Sequence, residues 1–328
     1  MSTINISIVI PVYNGGGAFY ACLGSIGHSA RPPDEIVVVS DGDTDGSWQV
    51  AEEFGTKVLR LGSSGGPARA RNIGAKAAQG DVIFFMDADV TLHPDTLSLV
   101  EQRFQEQPEL AALIGSYDDA PGAENFLSQY KNLFHHYTHQ TSAEIASTFW
   151  GACGAIRRSV FLAIEGFDET YTQPCIEDIE LGYRLKRMGY EIRLYKDIQV
   201  KHLKRWEARS LLKADIFYRA IPWATLLIRE QRFDADLNLN YTNRLSVLGV
   251  FALIVTALAG CFFAWIWWLT AATALGLLLI NFNVYRFFCA KRGGLFTLRV
   301  IPWHWLYFFY GGSAFVWVLM QHYFGRFL

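Results

Sequence analysis

Several absences bound this chain before any motif is considered. Its five cysteines, Cys22, Cys153, Cys175, Cys261 and Cys289, are odd in number and contain no C-x-x-C pair. That excludes a disulfide framework and fits a reduced, cytosol-facing domain. No Gly-Lys-Ser/Thr follows Gly65-Gly66, so there is no P-loop, and the G-x-G-x-x-G spacing of dinucleotide-binding enzymes is missing. Twenty-nine Lys and Arg against 31 Asp and Glu leave a net charge of −2, which gives no basis for a nucleic-acid partner. Met1-Ser2-Thr3 has no basic region and the first apolar run reads as a strand, so no secretory signal is expected. One absence is itself a signal. From Leu245 through Tyr285 there is no Asp, Glu, Lys, Arg or His, a run of 41 residues, where one membrane crossing needs roughly 20.

What is present begins with alternation. Ile6-Ser7-Ile8-Val9-Ile10-Pro11-Val12 is a β-branched run that ends in Tyr13-Asn14 and Gly15-Gly16-Gly17. Glu35 to Val39 ends in Ser40-Asp41-Gly42-Asp43-Thr44-Asp45-Gly46-Ser47, and Lys57 to Leu61 leads into Gly65-Gly66-Pro67-Ala68-Arg69-Ala70-Arg71-Asn72. Val82 to Met86 ends in Asp87-Ala88-Asp89. Four β-runs alternating with helical stretches predict an α/β fold with a mostly parallel sheet and right-handed crossovers, its four polar loops converging on one crevice at the carboxyl edge. A buried strand cannot house two carboxylates, whereas the loop beyond its end can. Such oxygen donors suit Mg²⁺ or Mn²⁺ bridging to a diphosphate, although a solvated turn has the same composition.

Five motifs in register sharpen the reading: Pro11-Val12-Tyr13-Asn14, Asp41 to Ser47, Gly66 to Asn72, Asp87-Ala88-Asp89 and Glu177-Asp178. Across roughly residues 4 to 206 the chain resembles family-2 inverting glycosyltransferases of the GT-A fold. That group includes dolichyl-phosphate mannose synthases, ceramide glucosyltransferases and cellulose synthases. The resemblance implies nucleotide contacts at Pro11, Tyr13 and Asp41, a basic residue near the diphosphate at Arg69, and metal and donor contacts at Asp87 and Asp89. Asp178, beside Glu177, is implied as the catalytic base. His202-Leu203-Lys204-Arg205-Trp206 is similar to the family's Q/R-x-x-R-W motif with His in first place. His202 is therefore expected as a third metal contact, and Arg205 and Trp206 as diphosphate or acceptor contacts. Trp150-Gly151-Ala152-Cys153-Gly154 resembles the small-residue loop bordering the acceptor pocket.

Read without the family, several of these residues keep a second meaning. Glu177 and Asp178 precede a helical period, so both could simply cap a helix N-terminus. Arg69 and Arg71 could form the exposed face of a helix, and Trp150 could belong to a buried strand with a glycine bend. His135 and His139 share a helix face but lack further ligands of zinc-site spacing, and a solvated surface is expected there.

After residue 206 the composition changes. Residues 207–243 mix aliphatics with Arg209, Lys213, Arg219, Arg229 and Arg232, as an interfacial amphipathic helix broken at Pro222 would. Within 244–328, three spans are expected at 245–265, 268–288 and 301–320, with Trp265, Trp267 and Trp268 at one bilayer interface. Arg244, Arg286, Lys291, Arg292 and Arg299 place their ends, and the catalytic domain, on the cytoplasmic side. The expectation is an integral membrane enzyme that moves a sugar from a UDP- or GDP-linked donor to a lipid acceptor with Mg²⁺ or Mn²⁺. A polysaccharide synthase subunit and a silent nucleotide-sugar-binding scaffold are the alternatives.

Overall fold

A computed structural model describes residues 4–230 and 240–325. The chain divides into two compact units between Glu207 and Ala208. The apolar runs of the first unit become parallel strands because both of their faces are covered, which favours continuous rather than alternating hydrophobics. β1 (Ile6–Val12), β2 (Glu35–Asp41), β3 (Lys57–Leu61) and β4 (Val82–Met86) pair in the order β3-β2-β1-β4, all parallel. Between them run α1 (Gly16–Ile26), α2 (Ser47–Glu53) and α3 (Pro67–Ala77).

The second half of the sheet is mixed. β5 (Val90–Leu92) and α4 (Thr96–Glu106) precede β6 (Ala112–Tyr117), α5 (Phe126–Thr141), β7 (Ile145–Ala146) and β8 (Cys153–Arg157). Then come α6 (Arg158–Ala163), α7 (Glu177–Arg187) and β9 (Ile192–His202). β8 joins β4 antiparallel, and the order continues β8-β6-β9-β5, with β6 and β9 parallel and β5 antiparallel to β9. Two registers position the site. Met86 lies opposite Cys153, which brings the Trp150–Ala152 loop beside Asp87, and Val90 lies opposite His202, which brings β9's end beside Asp89. Phe85, on one sheet face, packs against Phe149, Phe161 and Phe167 at 5.2–6.2 Å between ring centroids, each fully buried aromatic contributing about 1.5–3 kcal/mol. Gly66 is obligatory at the entry to α3: its φ is +91° and an added Cβ would lie 2.4 Å from the Thr172 carbonyl oxygen.

The second unit is helical. α8 (Ala208–Lys213) passes through a π-helical stretch, Ala214–Ala220, into α9 (Ile221–Glu230). The break expected at Pro222 thus lies just upstream, where that proline's missing N–H spoils the α-helical ladder. Residues 231–239 of the expected linker, like Met1 to Thr3, lie outside the described residues. α10 (Tyr241–Gly260), α11 (Ile266–Ile280), α12 (Phe282–Arg292) and α13 (Gly294–Phe324) complete the unit.

The expected spans are corrected here. The first ends at Gly260 instead of residue 265, because a turn carries the chain through Phe262 and Phe263. The second is not one straight helix, since α11 and α12 meet at 65° across Asn281. The third lies within the longer α13, whose Arg299, Pro302 and His304 dilute its apolar character. Among the described residues α10 alone is long and apolar enough to cross a membrane unaided, at mean hydropathy 1.7, and α11 with α12 qualifies as a bent pair.

Candidate active site

The site is built around a buried arginine. Arg71 lies on α3 with Ala68 and Ala75 on the same buried face, small residues that let the helix approach the sheet. Its side chain is 5% exposed, and its fork donates to Asp87 Oδ1 at 2.6 Å and to Glu177 Oε1 at 2.8 Å. Two charge-assisted hydrogen bonds in one plane are what a guanidinium, unlike an ammonium, can supply. The end of β4 and the start of α7 are thereby tied together. A Cβ on Gly151 would meet the guanidinium at 3.0–3.2 Å, so that glycine lets the loop before β8 close over Arg71.

Glu177 and Asp178, adjacent in sequence, have different tasks. Glu177 is buried, one oxygen on Arg71 and the other accepting the Cys175 N–H at 2.9 Å. Both oxygens are committed, so the catalytic share expected of Glu177 is corrected to a supporting one. Asp178 accepts the N–H groups of Gly151 at 3.2 Å and Ile179 at 2.8 Å. Burial, then the Glu177 charge, pushes its carboxyl up to about 7 against the opposing pull of Arg71. A carboxylate poised near neutrality suits a general base.

Asp89 lies beside β9. His202 Nε2 is 3.7 Å and Lys204 Nζ 3.9 Å from Asp89 Oδ2, and the Leu203 N–H donates to the Asp89 carbonyl at 2.8 Å. Burial works to raise the Asp89 carboxyl, but the hydrogen bond and charge of His202, with Lys204, hold it at about 2. It is therefore ionised across the physiological range. These donors fit a Mg²⁺ or Mn²⁺ only in part: Asp87 and Asp89 share one loop and His202 lies 3.7 Å from Asp89, yet among the described residues no group of three or more His, Cys, Asp or Glu is arranged to hold an ion. A cation there would draw its remaining ligands from substrate phosphates and water, as Mg²⁺ commonly does.

An aromatic wall flanks His202. Its ring stacks on Tyr117 at 4.4 Å and 8°, Tyr117 meets Trp150 edge-on at 4.7 Å, and His135 and His139 pack on Trp150 at 5.0 and 4.9 Å. The solvated surface expected at His135 and His139 is corrected. They do share a face of α5, but that face is turned inward, with His139 5% exposed and its Nδ1 2.9 Å from the Gly115 carbonyl. Trp150 is half-buried at the edge of this wall.

The remaining expected residues divide. Pro11 is half-buried and Tyr13 is 59% exposed at the carboxyl edge. Asp41 is buried, its carboxylate accepting from the Ser64 hydroxyl at 2.8 Å and the Gly65 and Gly66 N–H groups at 2.9 Å, so it shapes the loop into α3. Arg69 lies across Gly65, where a Cβ would meet its Cδ at 2.6 Å. Arg205 turns to the surface, paired with Glu207 at 2.9 Å. Trp206 turns inward against α5 at 5% exposure, its backbone N–H donating to Ser128 Oγ at 2.7 Å. The structure thus places Trp206 in the core beside α5, where the expectation was an open diphosphate or acceptor contact.

Residues 7–164 match the family described as glycosyl transferase family 2, and residues 133–207 match the N-terminal domain of galactosyltransferase. The first of these matches runs from β1 to α6, just under half of the chain. Among curated proteins it is 32% identical over 117 residues to glycosyltransferase GlyG of Streptococcus pneumoniae, covering 34% of this chain and 38% of that one. It is also 26% identical over 239 residues to the O-antigen chain rhamnosyltransferase RfbN of Salmonella typhimurium, covering 67% and 74%. The chain thus spans well under half the length of the pneumococcal relative. Among solved structures, the mannosyltransferase PcManGT of Pyrobaculum calidifontis, in complex with GDP-Man and Mn²⁺, aligns over 97% of this chain and 88% of its own at TM-score 0.57 and 18% identity. Staphylococcus aureus TarS 1-349 with UDP-GlcNAc aligns over 69% and 66% at TM-score 0.53 and 20% identity. These likenesses establish the GT-A type fold of the first unit.

Proposed function

We propose that the protein is a metal-dependent inverting glycosyltransferase that moves a sugar from a UDP- or GDP-linked donor to a membrane lipid. The observation that carries this reading is the single cluster joining a near-neutral carboxylate, Asp178, through the neighbouring Glu177 and Arg71, to Asp87 at the head of the acid pair. Asp178 takes the proton from the acceptor hydroxyl. The freed oxygen bonds to the anomeric carbon from the face opposite the diphosphate. The bond from that carbon to the diphosphate oxygen breaks, its electron pair leaves with the nucleotide, and the configuration inverts. A divalent cation held at the acid pair Asp87 and Asp89, with its remaining ligands from phosphate and water, would neutralise the charge gathering on the departing diphosphate. Arg71 fixes Asp87 and, through Glu177, the first turn of α7. Trp150 and Tyr117 offer an aromatic edge on which an acceptor can rest.

The lipid acceptor and the membrane belong together. α10 has 20 residues, a rise of about 30 Å, matching a bilayer's hydrocarbon core. Asn281 Nδ2 donates to Ser246 Oγ at 2.9 Å, so the end of α11 lies level with the start of α10. Arg244 and Arg286 therefore share one end of the hairpin, while Trp265, Trp267 and Trp268, at 49–81% exposure, crowd the other. That asymmetry supports insertion with the basic end in the cytoplasm. RfbN and TarS, by their names, act on an O-antigen chain and on poly(ribitol-phosphate), and this favours a polymer acceptor as the second reading. Incubating the protein in nanodiscs with labelled UDP- and GDP-sugars separates the two: label enters organic-extractable lipid under the first reading and aqueous polymer under the second.

A further inference from the structure

The residues around the acid pair and the base close into a ring of contacts. On one side Arg71 joins Asp87 to Glu177, the neighbour of Asp178. On the other, His202 lies 3.7 Å from Asp89 and stacks on Tyr117, whose ring meets Trp150 edge-on at 4.7 Å. Trp150 precedes Gly151, whose N–H donates to Asp178 Oδ2 at 3.2 Å. One arc of the ring is therefore ionic and the other aromatic, and Trp150 ends the aromatic arc next to the base. Edge-on contacts with Tyr117 and His139, at 81° and 84°, and the tilted ring of His135 fix the indole in place. Trp150 and Asp178 nonetheless stay half-buried, where Glu177 is fully buried, so both are open to a ligand.

Charge decides what can lie there. The charges that act most on Asp178 are those of Glu177, Arg71 and Asp87. The one cation among them has its fork committed to the other two. A phosphate brought beside Asp178 would meet the charges of Glu177 and Asp87 and a guanidinium already shared between them. His202 and Lys204 attend Asp89 instead, at the acid pair. An uncharged polyhydroxyl ring suits the place: its hydroxyls donate to carboxylate oxygens while its weakly positive C–H face rests on the negative face of an indole.

We infer that the acceptor is a sugar whose ring stacks on Trp150 and whose reacting hydroxyl faces Asp178, and that it is not a lipid phosphate. This deepens the transferase reading and rests on it. The sugar hydroxyl gives its proton to Asp178, its oxygen bonds to the anomeric carbon of the donor, and the bond to the diphosphate oxygen breaks with its electron pair leaving on the nucleotide. A glycosidic bond between two sugars results. The lipid of the first reading is then the anchor that carries the acceptor sugar, as the polymer is in the second.

The test is saturation-transfer NMR on the full chain in phosphatidylcholine nanodiscs, titrated with the methyl glycosides of glucose, galactose, mannose and N-acetylglucosamine, and with glycerol phosphate as the anionic probe. The expected result is saturation of the C–H protons on one ring face of at least one glycoside, and none of glycerol phosphate. Trp150→Leu should weaken that binding roughly tenfold, the scale of one lost stacking face, while Trp150→Phe keeps most of it and donor affinity stays equal in all three proteins. Unchanged glycoside binding by Trp150→Leu would overturn the stacking role, as would displacement of the glycoside by UDP- or GDP-sugar, which assigns Trp150 to the donor. Failure of all four glycosides to bind the native chain, or tighter binding of glycerol phosphate, would overturn the sugar acceptor without recourse to any variant. Glycoside binding with no transfer from any UDP- or GDP-sugar would remove the transferase reading, and the acceptor role with it, while the sugar-binding wall stands.

Discussion

Replacing Arg71 by methionine keeps most of its volume and removes its charge. Two buried or half-buried carboxylates, Asp87 and Glu177, then face each other without a cation. Removing one partner of a buried ion pair costs about 3–5 kcal/mol, a large share of the roughly 5–15 kcal/mol that holds a domain folded. For a unit of this size that corresponds to a fall of about 6–20 °C in melting temperature, read by thermal unfolding of the full chain in detergent. A second consequence concerns rate. Arg71 pulls the Asp178 carboxyl down against burial and Glu177, so losing it moves Asp178 above about 7 and shifts the acid limb of the kcat profile to higher pH. Arg71→Lys restores one cation but not the fork, and should recover the pH profile more fully than the stability. A melting temperature within about 2 °C of the native protein, with an unmoved pH profile, would refute the keystone role given to Arg71.

Other substitutions probe the remaining parts. Asp178→Asn should abolish transfer while donor binding, measured by calorimetry, survives; equal loss of both would remove Asp178 from the role of base. Because its folded carboxyl sits above the ordinary value of 3.8, the folded state holds a proton that the unfolded chain releases, and this contribution to stability is full below about 3.8 and fades as pH rises to about 7. Asp178→Asn should therefore flatten the pH dependence of unfolding across that window. Gly66→Ala should destabilise by about 2 kcal/mol or more, since the added Cβ meets Thr172 oxygen and the backbone is left-handed; urea unfolding measures it. Asn72→Ala should cost about 1–3 kcal/mol in the same assay, because Asn72 accepts the Phe167 N–H and donates to the Phe167 carbonyl, both at 2.8 Å.

The first four strands were readable because each is an apolar run closed by glycine and polar residues, and a parallel sheet buries both faces of such runs. β8, β6, β9 and β5 were not, since their pairing depends on long-range register, as in Met86 opposite Cys153. Arg71 was passed over for Arg69 because two arginines on a helix look solvated. The available hint was Ala68 and Ala75, three before and four after Arg71, a small-residue face that places its long side chain inward. Nothing in the adjacent acids Glu177 and Asp178 separates the one held by a buried guanidinium from the one left near neutrality. The turn at Asn281 did have a sequence trace, an asparagine inside the uncharged run, whose side chain finds Ser246 only once the hairpin forms.

The most direct test of the central claim is sugar transfer by the purified protein in lipid nanodiscs, supplied with labelled UDP- and GDP-sugars in Mn²⁺, in Mg²⁺ and in EDTA. Labelled, organic-extractable lipid is expected with either metal, with its loss in EDTA and its return when metal is restored. Undiminished transfer in EDTA would contradict a cation at the acid pair Asp87 and Asp89, and label confined to water-soluble product would contradict the lipid acceptor.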